Sequence, residues 1–256
     1  KFNFKKFYKL KYKNKVVGLI KPDDYFKINK KKTCSKLFSS NSKKHPYIKF
    51  IYNLKNSFIG GDVYLLKKFL PKNKYSAFNQ IKDKKKFNFF KKSVVFSTRN
   101  ICHLGHQFIH KHVLKKNKKL TIAIIENDKN KFDPRMIVES YKTLKKNTNL
   151  YKNLKIIRIA LPSFYAGPNE AYLQATCFNN LGFKSFIVGR DHAGYKNYFN
   201  KYDSQNIFNK LSDLKIKILK TKEPLLCQEC LNIGFENSNF CKCKNFKNYL
   251  SINGRD

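Results

Sequence analysis

Two short segments of this chain concentrate residue types that hold anions. The first, Phe96-Ser97-Thr98-Arg99-Asn100-Ile101-Cys102-His103-Leu104-Gly105-His106, lies where an apolar run gives way to a helical pattern. In a helix starting near His103, the histidines at i and i+3 share a face at its amino end. Unpaired backbone N–H groups and the positive end of the helix dipole favour a bound phosphate there. Gly105 between them leaves room for a ligand to approach the backbone. The second segment, Phe186-Ile187-Val188-Gly189-Arg190-Asp191-His192-Ala193-Gly194, again carries a strand pattern into a glycine-bracketed turn. Of the 55 basic residues only five are arginine (Arg99, Arg135, Arg158, Arg190, Arg255), and two of those fall in these segments. A planar bidentate donor does what lysine cannot, so a tetrahedral oxyanion held between Arg99 and Arg190 is the expectation.

Simpler readings compete with these. His110 shares roughly the helix face of His103 and His106, so a histidine-only metal site is one alternative, and histidines that merely cap a helix are another. The second segment taken alone would be a solvated turn. Two such loops at the ends of two strands favour the chemical reading. A third cluster, Cys227-Gln228-Glu229-Cys230 followed after ten residues by Cys241-Lys242-Cys243, reads either as a structural Zn²⁺ clip or as free thiols. Cys34, Cys102 and Cys177 read as small apolar fillers.

The elements that must position these residues alternate from Ser93 onward. Strands are expected over Val94–Phe96, Leu120–Ile125, Lys155–Leu161, Lys184–Val188 and Lys215–Leu219. Helices are expected over His103–Lys116, Pro134–Lys146, Pro168–Leu181 and Ser204–Leu211, the third marked by Pro168 at its start, Glu170 in its first turn and Gly182 past its end. Strict alternation means a parallel sheet wrapped by helices, with ligands beyond the carboxyl ends of the strands. Residues 1–88 carry short apolar runs, Val16–Ile20, Ile48–Tyr52 and Asp62–Leu66, split by polar residues and Gly60-Gly61, which reads as a mainly β domain. The lysine-rich stretch Lys82–Lys92 marks the passage between domains.

In order, the motifs Thr98-Arg99-Asn100, His103-Leu104-Gly105-His106, Tyr165-Ala166-Gly167-Pro168 with Glu170-Ala171, and Gly189 to Gly194 resemble those of the ATP sulfurylase (sulfate adenylyltransferase) family. The likeness covers about residues 94–243 and extends to the cysteine cluster; His45-Pro46 and Gly60 to Val63 are similar to the family's amino-terminal PUA-like β domain. It implies an α/β architecture with three parts: a β-rich PUA-like domain at 1–88, a Rossmann-like nucleotidyltransferase domain at 89–225, and a small cysteine-bearing tail at 226–256. It implies adenylyl transfer from ATP to sulfate, giving adenosine 5′-phosphosulfate and pyrophosphate, or the reverse, with Mg²⁺ on the nucleotide. Thr98, Arg99 and Asn100 would be the catalytic triplet. His103 and His106 would bind the β- and γ-phosphates and stabilise the transition state. Ser97 and the segment Gly189, Arg190, Asp191 and His192 would contact ATP, and Ser97, Arg99 and the Ala193 N–H would meet sulfate. Some members of the family have a Cys-Cys-Cys-His cluster at this place with a different final spacing; in this chain Cys227, Cys230, Cys241 and Cys243 are the candidate zinc ligands. The chain departs from the family where Ser97 replaces Gln, Ile101 replaces Pro, and Phe164 and Asn169 replace Arg. Ile252 to Asp256 resembles a family segment with both its hydroxyl residues replaced.

Composition bounds what else the protein can be. A net charge of +39 over 256 residues suggests a nucleic-acid partner, and that is one rival function. However, the lysines spread along the whole chain, and Lys, Asn, Ile, Phe and Tyr all have AT-rich codons, so coding bias accounts for the charge. A hydrophobic content of 41% with 24 Phe excludes a disordered polycation. No stretch of about 18 uncharged apolar residues is present, so no membrane span is expected. Seven cysteines without a disulfide-like framework suit a reducing, cytoplasmic location. A homo-oligomer is compatible with the sequence. The chain starts at Lys1 and stops in a segment without an element ending, as a fragment or processed chain would. A second rival function, suggested by Ser97, Phe164 and Asn169, is a relative that binds nucleotide or anion without turnover.

Overall fold

The computed structural model of the protein describes residues 3–126, 132–211, 213–243 and 248–252. They form two compact units, Lys1–Asn73 and Lys74–Asp256. The lysine-rich stretch read as the passage therefore falls inside the second unit, where Phe90 and Ala77 are buried in its core. The tail beginning at 226 also belongs to this unit.

In the first unit, β1 (Tyr8–Tyr12), β2 (Lys15–Lys27) and β3 (Ser57–Leu65) make an antiparallel sheet in the order β1-β2-β3. Lys13 and Asn14, both at positive φ, form the two-residue turn whose twist matches the flanking strands. Two helices, α1 (Lys30–Phe38) and α2 (Pro46–Asn53), connect β2 to β3. The run at Ile48–Tyr52, expected as a strand, is thus helical. His45 caps α2 by accepting from the Tyr47 and Ile48 N–H groups through Nδ1 (3.2 and 3.4 Å), and Pro46 opens its first turn. A period-two reading of five apolar-rich residues could not see this, because the start signal lies upstream of the run. Cys34, Phe38, Ile48 and Ile51 are buried, as expected of Cys34, and the Phe38 ring lies 4.7 Å from His45.

The second unit holds five parallel strands in the order β6-β5-β4-β7-β8: β4 (Val94–Thr98), β5 (Leu120–Glu126), β6 (Leu154–Ala160), β7 (Ser185–Val188) and β8 (Lys217–Lys220). Their side chains alternate between two cores. Val94, Phe96, Ile122 and Ile124 pack with Ile109 and Val113 of α5 (Leu104–Leu114) and Ile137, Val138 and Tyr141 of α6 (Pro134–Asn147). Val95, Ala123, Ile125 and Phe186 face the other way, onto Ala77 of α3 (Ala77–Gln80), Phe90 of α4 (Lys84–Phe90) and Ala175 and Phe178 of α7 (Pro168–Asn180). Phe208 of α8 (Asp203–Lys210) joins that second core. This is a doubly wound sheet whose order reverses between β4 and β7, the place where such folds open a crevice. A small antiparallel sheet in the order β10-β9-β11 follows: β9 (Pro224–Cys227), β10 (Ile233–Phe235) and β11 (Tyr249–Ser251). The family-like segment ending at Asp256 lies outside the described residues beyond Ile252. Among the described residues no helix is long and apolar enough to cross a membrane.

The second core depends on packed phenylalanine rings: Phe178 lies 4.9 Å from Phe186, tilted, and 5.7 Å from Phe183, edge to face, all buried. Truncating it would leave a cavity between helix and sheet. Phe178→Ala is expected to lower the unfolding free energy by about 3–5 kcal/mol, measured by urea denaturation.

Candidate anion and nucleotide cleft

A cleft of about 310 Å³ opens at the carboxyl ends of β4 and β7. Ser97, Thr98, Arg99, Asn100, His103, His106, Gly189, Arg190, Asp191, His192 and Ala193 all line it, so the two loops read from the sequence meet in one place. Gln174, Glu223 and Ile252 line it as well, and sequence reasoning did not single them out for chemistry.

The first loop is shaped by its own side chains. The Thr98 hydroxyl donates to the Asn100 carbonyl (3.2 Å) and accepts from the Asn100 N–H (3.0 Å), so it builds the turn. Arg99 has no carboxylate within ion-pair distance among the described residues, and its guanidinium lies 5.1 Å from the Tyr165 ring centre. Helix α5 starts with no side-chain cap, so its first N–H groups have no capping partner. The His103 and His106 rings sit 3.8 Å apart. The expected opening beside Gly105 is taken by the chain itself, because a Cβ there would meet the Ile252 carbonyl at 3.1 Å.

The histidines are neutral in this environment. Burial pushes the His103 pKa down, and burial aided by His103 and His110 holds His106 well below its ordinary value. His110 is fully buried, its Nδ1 lies 3.0 Å from the Tyr151 hydroxyl, and burial with His103 lowers its pKa to about 3. Its ring is 6.2 Å from that of His106, and no three-histidine group among the described residues converges on a metal position. The histidine-only metal site is not formed, because His110 turns into the core. Cys102 lies in that same core, where burial raises its pKa to about 11.

The second loop is pinned to its surroundings. Asp191 and Ala193 both adopt positive φ, a conformation held by outside bonds. The Asp191 N–H donates to the Lys201 carbonyl (2.7 Å), Ser204 Oγ to the His192 carbonyl (2.7 Å), and the Gly167 N–H to the Ala193 carbonyl (3.0 Å). The last bond ties the Tyr165–Pro168 turn to this loop. Gly167 itself sits at φ +49, with the Phe199 ring 2.6 Å from where a Cβ would be, so no other residue fits.

Arg190 does not form the open half of a two-arginine clamp. Its Nε lies 2.8 Å from Glu223 Oε1, and its Nη2 donates to Ser251 Oγ at 3.3 Å. Ser251 donates to Glu223, and Lys201 Nζ lies 2.5 Å from Glu223 Oε2. Burial works against the Glu223 carboxylate, but the hydrogen bonds from Lys201 and Ser251 and the Arg190 charge outweigh it and lower the pKa. The guanidinium therefore braces the small sheet against the cleft. Glu223 was invisible to spacing arguments because its partner lies 33 positions upstream.

A four-membered set joins the cleft to α7. Ser97 Oγ donates to Gln174 Oε1 (2.9 Å), which also meets His192 Nε2 (3.0 Å). Gln174 Nε2 donates to Glu170 Oε1 (3.3 Å), and Glu170 Oε2 accepts the Ala166 N–H (3.3 Å). Burial raises the Glu170 pKa against the opposing pull of Arg99 and of backbone N–H groups. Burial, with Arg99, lowers that of His192 to about 4.

The sulfurs of Cys227, Cys230, Cys241 and Cys243 all lie within 4.8 Å of one another. Zn–S bonds of about 2.3 Å give comparable sulfur separations, so both members of the Cys241-Lys242-Cys243 pair converge with the other two. Leu231 at positive φ, with its N–H on the Cys227 carbonyl (2.9 Å), closes the first knuckle.

A family model described as ATP-sulfurylase matches residues 72–256, well over half of the chain. The chain belongs to the ATP-sulfurylase family. A PUA-like domain model matches residues 3–68. Sulfate adenylyltransferase of Hyperthermus butylicus is 29% identical over 227 residues, covering 86% of this chain and 58% of that protein. The Pyrococcus abyssi protein of the same name is 29% identical over 238 residues, covering 91% and 62%. The chain thus spans about three fifths of the length of these relatives. The hexameric APS kinase from Thiobacillus denitrificans aligns with a TM-score of 0.55 at 10% identity, covering 86% of this chain and 38% of its own, which shows a shared fold.

The lowered histidines link folding to pH. The unfolded chain binds protons near pH 6.5, whereas buried His110 resists protonation down to about pH 3. Stability is complete above the unfolded value and is lost as pH falls through that window. Each such histidine steepens the loss by up to about 1.4 kcal/mol per pH unit. Urea unfolding across the window is expected to show this slope, reduced in His110→Phe.

Proposed function

We propose that the chain transfers an adenylyl group between ATP and sulfate, forming adenosine 5′-phosphosulfate and pyrophosphate or running the reverse. The observation that carries the reading is Arg99, with no carboxylate within ion-pair distance among the described residues, beside the uncapped start of α5 in one cleft. Family membership supports it.

Sulfate is already a dianion at neutral pH, so no general base is needed. A sulfate oxygen attacks the α-phosphorus, the bond from that phosphorus to the bridging oxygen breaks, and pyrophosphate leaves with the electron pair. The demand is positioning and charge neutralisation. Arg99 would hold sulfate, together with the Ala193 N–H. The N–H groups opening α5 and the neutral rings of His103 and His106 would donate to the departing phosphates, at no cost of placing extra charges in an empty cleft. Mg²⁺ bound to the nucleotide would supply charge neutralisation on the phosphates. Asn100 and Thr98 would fix the loop that carries Arg99, and Gly189 to His192 would border the nucleotide.

The thiolate cluster would hold one structural Zn²⁺, anchoring the end of β9, the strand that follows Glu223, to the segments carrying Cys230, Cys241 and Cys243. A reducing compartment, the cytoplasm, suits seven cysteines outside any disulfide. A second reading, nucleotide binding without turnover, draws on the pairing of Arg190 with Glu223, which removes one of two expected anion clamps.

Sulfate-dependent release of pyrophosphate from ATP is the deciding assay. Arg99→Ala is expected to reduce it by about 10²–10³-fold, the scale for losing one transition-state donor. ATP binding by calorimetry with no exchange in the wild type would select the second reading. Metal analysis is expected to find one zinc per chain, and its removal by a chelator to lower the melting temperature. Cys230→Ser is expected to bind none.

A further inference from the structure

Tyr165, in the segment that leads into α7, stands in the left-handed region at φ +57. Glycine and asparagine occupy that region readily, whereas a bulky aromatic residue there is a strained choice that its surroundings must hold. They do hold it. The Ala166 N–H donates to Glu170 Oε2 at 3.3 Å, and the Gly167 N–H to the Ala193 carbonyl at 3.0 Å. Tyr195, just past the second loop, lies against the Tyr165 ring with centres 5.5 Å apart. Arg99 is a further neighbour, its guanidinium carbon 5.1 Å from the centre of that ring.

A cation in a cleft is usually held by a carboxylate, and Arg190 shows the consequence. Its Nε faces Glu223 and its Nη2 donates to Ser251, so part of its donor edge is occupied and its charge is met. An aromatic face holds a guanidinium differently. The N–H groups all lie in the guanidinium plane, so a ring over that plane uses none of them and brings no opposing charge. The carboxyl of Glu170 feels the Arg99 charge only from beyond ion-pair distance. Through the Gly167 to Ala193 bond, the segment that carries the ring is also fixed to the loop whose Ala193 lines the same cleft.

We infer that Tyr165 is a positioning residue: its ring is the platform that holds Arg99 at the cleft with its donor edge open and its charge unmet, for a tetrahedral dianion. Such an anion can take two adjacent guanidinium N–H groups at once. The platform follows from the geometry; only the identity of the anion as sulfate rests on the function proposed above.

Asparagine tolerates the left-handed region, so Tyr165→Asn removes the ring while relieving the backbone. Its melting temperature is expected to equal or exceed that of the wild type. In sulfate-dependent pyrophosphate release, its KM for sulfate is expected to rise about tenfold with the KM for ATP unchanged. Tyr165→Phe keeps the ring and is expected to match the wild type in both. Nitrogen-15 NMR of arginine-labelled full-length protein reads the platform without turnover, because the chain has only five arginines and the Arg99 Nε–H signal is the one missing in Arg99→Lys. The ring is expected to displace that signal in the wild type and in Tyr165→Phe, and Tyr165→Asn to return it toward the position of an exposed arginine. An Arg99 signal that Tyr165→Asn leaves in place overturns the platform. So does a Tyr165→Phe protein that loses sulfate as Tyr165→Asn does, which assigns the effect to the hydroxyl. A Tyr165→Asn protein that melts lower and loses sulfate and ATP alike overturns it too, since the residue is then merely structural. A wild type that releases no pyrophosphate and binds no sulfate by calorimetry is a failure of the functional reading, and the NMR result still decides the platform.

Discussion

The site depends on one topological constraint. Strands β4 and β7 are parallel neighbours, but the chain leaves β4 toward α5 on one face of the sheet and leaves β7 toward α8 on the other. The two exits cannot fill the same space, so a crevice opens between them. Every chemical group described above is placed by that divergence: Arg99 and the histidines on one exit, Arg190 to Ala193 on the other. Helix α7 arrives beneath both and supplies Gln174 and Glu170 from its first two turns.

Within the crevice, electrostatics separates groups that look alike in sequence. Arg99 and Arg190 are the same residue in comparable loops, yet Arg190 is ion-paired with Glu223, whereas Arg99 rests on an aromatic face with no carboxylate within ion-pair distance among the described residues and acts on the Glu170 carboxyl only through its field. The small sheet makes this difference, since Glu223 and Pro224 lead into β9 and Ser251 ends β11. Ile252, just past β11, fills the side of Gly105, and β9 ends at Cys227, one of the converging cysteines. The cysteine cluster and the anion cleft, separate motifs in the sequence, are thus joined through one strand and one buried carboxylate.

Most of the second unit was legible because its signals are local. Apolar strand runs, Pro168 at a helix start and Gly182 at a helix end need no distant partner, and the five strands and four helices expected from Ser93 onward appear near their expected places. The first unit was harder. The Ile48–Tyr52 run is short enough to suit either period, and a histidine cap decided for helix. The domain passage was placed at a lysine run, whereas the compact units divide after Asn73, because charge density does not mark where packing begins.

The residue types and their spacing determined by themselves that two loops would carry arginine, histidine and glycine at strand ends, and that four cysteines were paired in two short motifs. What only the tertiary structure decided is which of these groups are free to act. Partners at 33 positions (Glu223 to Arg190), at 77 positions (Gln174 to Ser97) and at 61 positions (Ser251 to Arg190) set charge, protonation and orientation. Such pairings are fixed by how the sheet order brings distant segments together. The large +39 charge of the chain says nothing about them, since an electrostatic site is made by the few groups that folding leaves without an opposite charge.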